Sequence, residues 1–338
     1  MGAAVSWRRV REWRGVMRDS LDVLPRTMQH PATLRAAVDI ALDALTYQTL
    51  EKFEQRQVRP YDTAALVLAR TVPTACIEWC ALLMGWGSRV TLKPPTATPH
   101  LAQWLVTTAH EAGLPLRSTH DRDALARADV VIAMGRDETI RDIGKPLPNT
   151  TRYVGLGDRF SVAWVDGDTP WERLAQDIVL HDTRGCMSPT AIFTPLPLRP
   201  ACEALQQALD CAAQTLPSGE VMPFEAAAIR ARRQLAEATT GVALASEHGE
   251  VHGLRITLQP PAALPRCVAV YHVSTPQAMA DALASSSERL STVGAPKASH
   301  AFFEAAFPRV RVCDVGDMQR PPLQRLHDGL DWIAQTHR

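Results

Sequence analysis

From residue 64 onward the chain alternates short apolar runs with amphipathic stretches, a pattern that admits few folds. Ala64-Ala-Leu-Val-Leu-Ala69, Arg89-Val-Thr-Leu-Lys93 and Asp129-Val-Val-Ile-Ala-Met134 read as strands, as do Arg152 to Gly157 and Ser161 to Val165. Between them, Cys76 to Met84 reads as a helix that stops at Gly85. Another helix starts at Thr98-Pro99 and ends before Gly113. Strands separated by helices imply a parallel sheet covered by helices, with ligands beyond the C-terminal strand edges. Residues 1–60 read as helical, with Ala36, Ala37, Ile40, Ala41, Ala44 and Leu45 at helical spacing. Thr169-Pro-Trp-Glu172 has the form of a capping box opening a further helix. Residues 195–200 read as a proline-rich loop, 201–214 and 223–239 as helices, and 240–275 as strands and turns.

At 338 residues the chain is long enough for two domains with cores of their own. Its 36 basic and 36 acidic residues cancel, so no nucleic-acid partner is expected. Seven cysteines without close pairing, and no signal-peptide pattern, point to a reducing, cytoplasmic setting. No apolar run is long enough for a membrane span. Met1-Gly2-Ala-Ala-Val-Ser6 fits an N-myristoylation pattern and precedes a basic stretch, but such short patterns are permissive, and a solvated basic helix with a chance Gly2 is the expected reading. His248 and His252 do not have the H-E-x-x-H order, and no metal site is expected.

The chemistry centres on Asp177-Ile-Val-Leu-His-Asp-Thr-Arg-Gly-Cys186-Met-Ser-Pro. An amphipathic helix runs into a polar turn holding Gly185 and Cys186, and an apolar strand leaves it. Arg184 and the backbone N–H groups of the turn are expected to favour the thiolate, the nucleophilic form. His181-Asp182 reads as a polar pair at a helix end or as a proton-handling pair. Cys76, Cys80, Cys202, Cys211, Cys267 and Cys313 read as structural. Neither a G-x-G-x-x-G nor a Walker A sequence is present, so a dinucleotide needs another mode of binding.

The cysteine segment resembles the nucleophile region of LuxC-type fatty acyl-CoA reductases, a branch of the aldehyde dehydrogenase superfamily. Four further segments follow in the family's order: Leu66-Val-Leu-Ala-Arg-Thr-Val-Pro73, Gly87 to Pro99, Ala128 to Ile140, and Leu290-Ser-Thr-Val-Gly294. The resemblance covers about residues 60–330. It implies an α/β, aldehyde-dehydrogenase-like fold: a Rossmann-like cofactor domain over 61–165 and an α/β catalytic domain over 166–320. These are flanked by a helical segment (1–60) and a C-terminal segment (321–338).

In the family's terms Cys186 is the nucleophile. Lys93 bonds the adenosine ribose, and Gly135 with Arg136 holds the pyrophosphate. Thr96 stands where NAD-preferring relatives carry glutamate; a carboxylate there would repel a 2′-phosphate, so its absence favours NADPH. Two departures stand out. Thr71 replaces the oxyanion-stabilising asparagine, and Gly155 aligns with the glutamate base of hydrolytic aldehyde dehydrogenases. The implied reaction is NADPH-dependent reduction of acyl-CoA or acyl-carrier protein to an aldehyde through an acyl-cysteine. A nicotinamide-free cysteine acyltransferase or thioesterase stays open. So does a non-catalytic homologue acting as a partner subunit, alongside an acyl-transferring partner and self-association into a dimer or tetramer.

Overall fold

A computed structural model describes residues 3–331 and 334, apart from residues 57, 97 and 256–261. Gly2 lies outside the described residues. The chain forms two compact units, residues 1–158 with 322–338, and residues 159–321. No helix among the described residues is long and apolar enough to cross a membrane.

The first unit opens with helices α1 (Ala3–Asp19), α2 (Pro31–Asp43) and α3 (Tyr47–Glu54). Strands and helices then alternate: β1 (Thr63–Val67), α4 (Cys76–Gly85), β2 (Arg89–Lys93), α5 (His100–Glu111), β3 (Leu116–Ser118), α6 (Asp123–Ala126), β4 (Val130–Met134), α7 (Asp137–Gly144) and β5 (Arg152–Leu156). The five strands are parallel in the order β3-β2-β1-β4-β5. The chain builds outward from β1 through β2 and β3, then crosses to β4. The strand order therefore reverses between β1 and β4, where open sheets of this kind leave a crevice at their C-terminal edge.

Side chains alternate across the sheet. Leu66, Val90, Leu92 and Ile132 share one core with α1, α4 and α5; Ala65, Val67, Val131 and Ala133 meet Ile140 of α7 on the other face. The N-terminal helices are thus one wall of this unit. Trp7, Val10, Trp13 and Met17 recur every three or four residues along α1 and all are buried. The Trp7 ring crosses that of Trp86 edge-on at 5.7 Å, over Gly85, where a Cβ would lie 2.5 Å from the ring. Trp13 Nε1 donates to Thr108 Oγ1 at 2.9 Å. The C-terminal segment belongs here too: Leu323 joins the core, and Arg325 pairs with Glu78 at 2.9 Å.

The second unit contains β6 (Phe160–Trp164), α8 (Trp171–Val179), β7 (Pro189–Thr194), α9 (Leu198–Ala213), α10 (Pro223–Thr239), β8 (Ala243–Ser246), β9 (Gly249–Leu254), β10 (Cys267–His272), α11 (Pro276–Leu283), β11 (Leu290–Gly294), α12 (His300–Ala306) and β12 (Arg311–Cys313). Its seven-stranded sheet runs β12-β11-β6-β7-β10-β9-β8, parallel except for β8 against β9.

Three sequence expectations are corrected. The run at 160–164, grouped with the cofactor domain over 61–165, pairs with β7 and β11 of the second sheet. An apolar run fits either sheet, and its pairing is not written in its own pattern. The Thr169 capping box does not form. The Thr169 hydroxyl instead bonds the Asp166 carboxylate and backbone N–H, and Pro170 takes the N-cap of α8. The proline-rich loop ends early, because α9 starts at Leu198 with Pro200 in its first turn, where a missing N–H costs nothing.

Trp7→Ala removes a fully buried ring from the junction of α1 and α4. It is expected to cost about 3–5 kcal/mol of first-unit stability, read as a lower urea midpoint followed by tryptophan fluorescence. A midpoint within error of wild type would refute this packing role.

Candidate active site

Helix α8 buries Leu174, Ala175, Ile178 and Val179 and ends in an unusual turn. Asp182 and Thr183 have φ of 49° and 61°, left-handed values that cost a non-glycine residue about 1–2 kcal/mol each. The Asp182 carboxylate holds this turn. It accepts from Arg266 Nε at 2.6 Å, from the Gly219 N–H at 3.1 Å and from Arg184 Nη1 at 3.4 Å. Both Asp182 and Arg266 are buried. Arg266 also donates to the Leu216 and Val179 carbonyls at 2.6 and 3.3 Å. Burial lowers the Arg266 pKa, while the Asp182 charge and hydrogen bond raise it.

Sequence reasoning missed Arg266, which lies 84 positions from the aspartate it serves. Arg184 corrects a further expectation. Its guanidinium is engaged by Glu225 at 2.8 and 3.1 Å, by Asp182 and by the Glu220 carbonyl at 2.6 Å. Two carboxylates compensate the charge that was assigned to a thiolate. Asp182 is likewise bound to arginines, so His181-Asp182 is a helix-end element of the turn. His181 itself is buried, and burial lowers its pKa to about 4.

The far side of the turn is fixed as firmly. Ser161 Oγ donates to the Cys186 carbonyl at 2.6 Å and accepts the Thr292 N–H at 3.0 Å, linking Cys186 to β6 and β11. Gln319 Nε2 donates to Ser188 Oγ at 2.9 Å and to the Asp177 carbonyl at 2.8 Å. The buried Asp177 carboxylate accepts the Gly316 N–H at 2.6 Å. Burial raises the Asp177 pKa to about 7, against backbone N–H donors and the charge of Arg311. Between these anchors the Cys186 side chain is half-buried. Burial pushes the thiols of Cys202 and Cys313 up to about 12 and that of Cys267 up to about 11. Cys186 stands three residues before β7, at the N-terminal edge of its sheet, not at the C-terminal edge expected for ligands of such sheets.

The remaining expected residues all lie at the C-terminal edge of the first sheet. Thr71 is half-buried in the segment after β1, Lys93 closes β2, and Thr96 is exposed in the turn beyond it. Gly135 and Arg136 follow β4, so Thr71 and Gly135 flank the point where the strand order reverses. Space for a Cβ is open at Gly135. The first N–H of α7 is already taken by Asp158 Oδ2 at 3.3 Å, and the Asp158 N–H returns a bond to Asp137 at 2.9 Å. Gly155 lies within β5, where Ile140 occupies the space its Cβ would need. Among the described residues no group of three or more metal-ligating side chains occurs.

Solved structures give the fold. An NAD-dependent aldehyde dehydrogenase from Sinorhizobium meliloti is 15% identical, with a TM-score of 0.70 over 92% of this chain and 74% of that one. Aldehyde dehydrogenase 21 from Physcomitrella patens, in complex with succinate, is 14% identical at 0.75, over 100% and 85%. An oxidoreductase from Marinobacter aquaeolei is 11% identical at 0.80, also over 100% and 85%. The fold is that of the aldehyde dehydrogenases. No curated protein matches the sequence. The acyl-CoA reductase (LuxC) family matches residues 115–335, more than half of the chain, and the chain belongs to that family, an oxidoreductase family.

Buried neutral, His181 contributes stability that is complete above its unfolded pKa near 6.5 and is lost as pH falls towards 4, by roughly 3 kcal/mol. Asp177 runs the other way: its raised pKa costs stability as pH climbs from about 4 to about 7. His181→Gln is therefore expected to remove the acid-side loss and leave stability falling with pH over that range. Urea titrations from pH 4 to 7 check this, and an unchanged pH profile would contradict it.

Proposed function

We propose that this protein reduces an acyl thioester to an aldehyde, with NADPH as reductant and Cys186 as nucleophile. One observation carries the reading: a half-buried cysteine on a turn anchored by buried polar groups, in a chain of the acyl-CoA reductase family.

The Cys186 thiolate attacks the acyl carbonyl. A carbon–sulfur bond forms, the bond to CoA or to a carrier-protein thiol breaks, and that thiol leaves with a proton. The acyl carbon then accepts a hydride, which NADPH held by Lys93, Gly135 and Arg136 would supply. Breaking the carbon–sulfur bond to Cys186 then releases the aldehyde and restores the thiol. Each attack places negative charge on the carbonyl oxygen. In this reading the Cys186 N–H and the Thr71 hydroxyl receive it, so removing Thr71 costs much of the rate. Gly155 stands in place of the glutamate base of hydrolytic aldehyde dehydrogenases and supplies no base to activate water, as suits a reductase.

The first sheet suits a nicotinamide dinucleotide. Lys93 reaches the ribose, and the open space at Gly135 admits a pyrophosphate beside Arg136. Thr96 offers no carboxylate to repel a 2′-phosphate. The proposed setting is cytoplasmic, with acyl-CoA or acyl-carrier protein as donor and self-association into a dimer or tetramer.

Loss of NADPH absorbance with a panel of acyl-CoAs tests the reading. Wild type is expected to oxidise NADPH only when acyl-CoA is present, and Cys186→Ala to be inactive. Thr71→Ala should lower turnover by about tenfold or more, and Thr71→Asn should raise it. Thioester consumption without NADPH oxidation would instead establish a nicotinamide-free acyltransferase or thioesterase.

A further inference from the structure

Helix α10 is amphipathic in the reverse sense. Its inward face buries Glu225 and Arg232 beside Ile229 and Ala236. Glu225 is held there by Arg184, and Arg232 donates to the Cys267 and Ala262 carbonyls. The exposed face carries Phe224, Ala227, Ala228, Ala231, Leu235 and Ala238. Phe224 is 64% exposed and Leu235 50%, and Val221, just before the helix, is 46% exposed. A surface helix ordinarily turns such a stripe to the core. Three of the seven large apolar side chains exposed among the described residues lie on this one segment, which marks a face that lacks its partner.

The stripe has a heptad form. Phe224, Ala231 and Ala238 stand at one seam position, and Ala228 and Leu235 stand four residues on at the next. Phe224 and Leu235 are about 16 Å apart along the axis, so a second helix can lie along the face. One flank of the stripe is charged. It holds Arg230 and Glu237, one heptad apart, both exposed and neither in an ion pair among the described residues. Arg233, one turn before Glu237, feels its charge but bonds Glu250. The other flank, with Ala228 and Leu235, is uncharged. When two copies of α10 lie antiparallel about a two-fold axis midway between Ala231 and Leu235, like flanks meet. Leu235 of each copy then faces Ala231 of the other, and Arg230 of each faces Glu237 of the other. A parallel pair sets the charged flank against the apolar one and pairs no charges. We propose that the exposed face of α10 joins two copies of this chain, antiparallel about a two-fold axis, with two Arg230–Glu237 pairs fixing the direction. This gives the proposed self-association its surface, and it rests on that reading, not on the reductase chemistry.

Sedimentation velocity of the full chain across micromolar concentrations tests this. Wild type is expected to associate reversibly, and Leu235→Glu to raise the dissociation constant about tenfold or more. Arg230→Glu and Glu237→Arg each set like charges face to face and are expected to weaken association about tenfold. The two reversals combined are expected to restore it, which a merely damaged fold would not do. All three positions are exposed, so the thermal transitions are expected to match wild type. Association that survives Leu235→Glu, or single reversals that the double reversal does not rescue, overturns this surface and leaves self-association to another one. A wild type that stays monomeric overturns both. If that monomer co-sediments with phosphatidylglycerol vesicles and Leu235→Glu does not, the face binds lipid instead. None of these results bears on Cys186.

Discussion

The buried pair of Asp182 and Arg266, 2.6 Å apart, is the constraint on which the second unit's site depends. It holds two consecutive left-handed residues at the end of α8. Without a fixed counter-charge there, a buried carboxylate would cost several kcal/mol and the backbone would relax away from the strained turn. Because Arg266 immediately precedes β10, it also ties the turn to the neighbouring strand. Cys186 is four residues further along the same turn. Its position is thus set by an ion pair on one side and by Ser161 and Gln319 on the other.

The two sheets contribute differently. The first offers its C-terminal edge, with Thr71, Lys93, Gly135 and Arg136 at the ends of adjacent parallel strands. The second offers its N-terminal edge, where a helix-to-strand turn presents a thiol. Desolvation holds Cys80, Cys202, Cys267 and Cys313 in the protonated form. Cys211 is exposed, but on a helix face instead of a strained turn.

Much of the fold is legible because burial leaves a local mark. Ala64 to Val67 and Val130 to Met134 are compact apolar runs, Arg89 to Lys93 alternates, and each lies in a parallel strand. The helix over 223–239 matches its pattern to the residue. What local pattern cannot show is partnership. The run at 160–164 is apolar whichever sheet it joins, and only its pairing with β7 and β11 assigns it to the second. Arg184 stands two residues from Cys186 in sequence, yet Glu225, 41 positions away, takes its charge. Thr169 has the spacing of a capping residue, but Asp166 competes for its hydroxyl. Arg266 and Gln319, which fix the turn, carry no motif. Cys186 was legible because its segment resembles a family's, and the anchors around it were not because they are long-range polar contacts.

The central claim is that Cys186 carries the acyl group. Intact-protein mass spectrometry after incubation with acyl-CoA and no nicotinamide, followed by peptide mapping, tests it most directly. The account predicts a gain of one acyl mass, located on the peptide containing Cys186, discharged on adding NADPH and absent from Cys186→Ala. Acylation of another cysteine, such as the exposed Cys211, or no acylation while NADPH is still consumed, would contradict it.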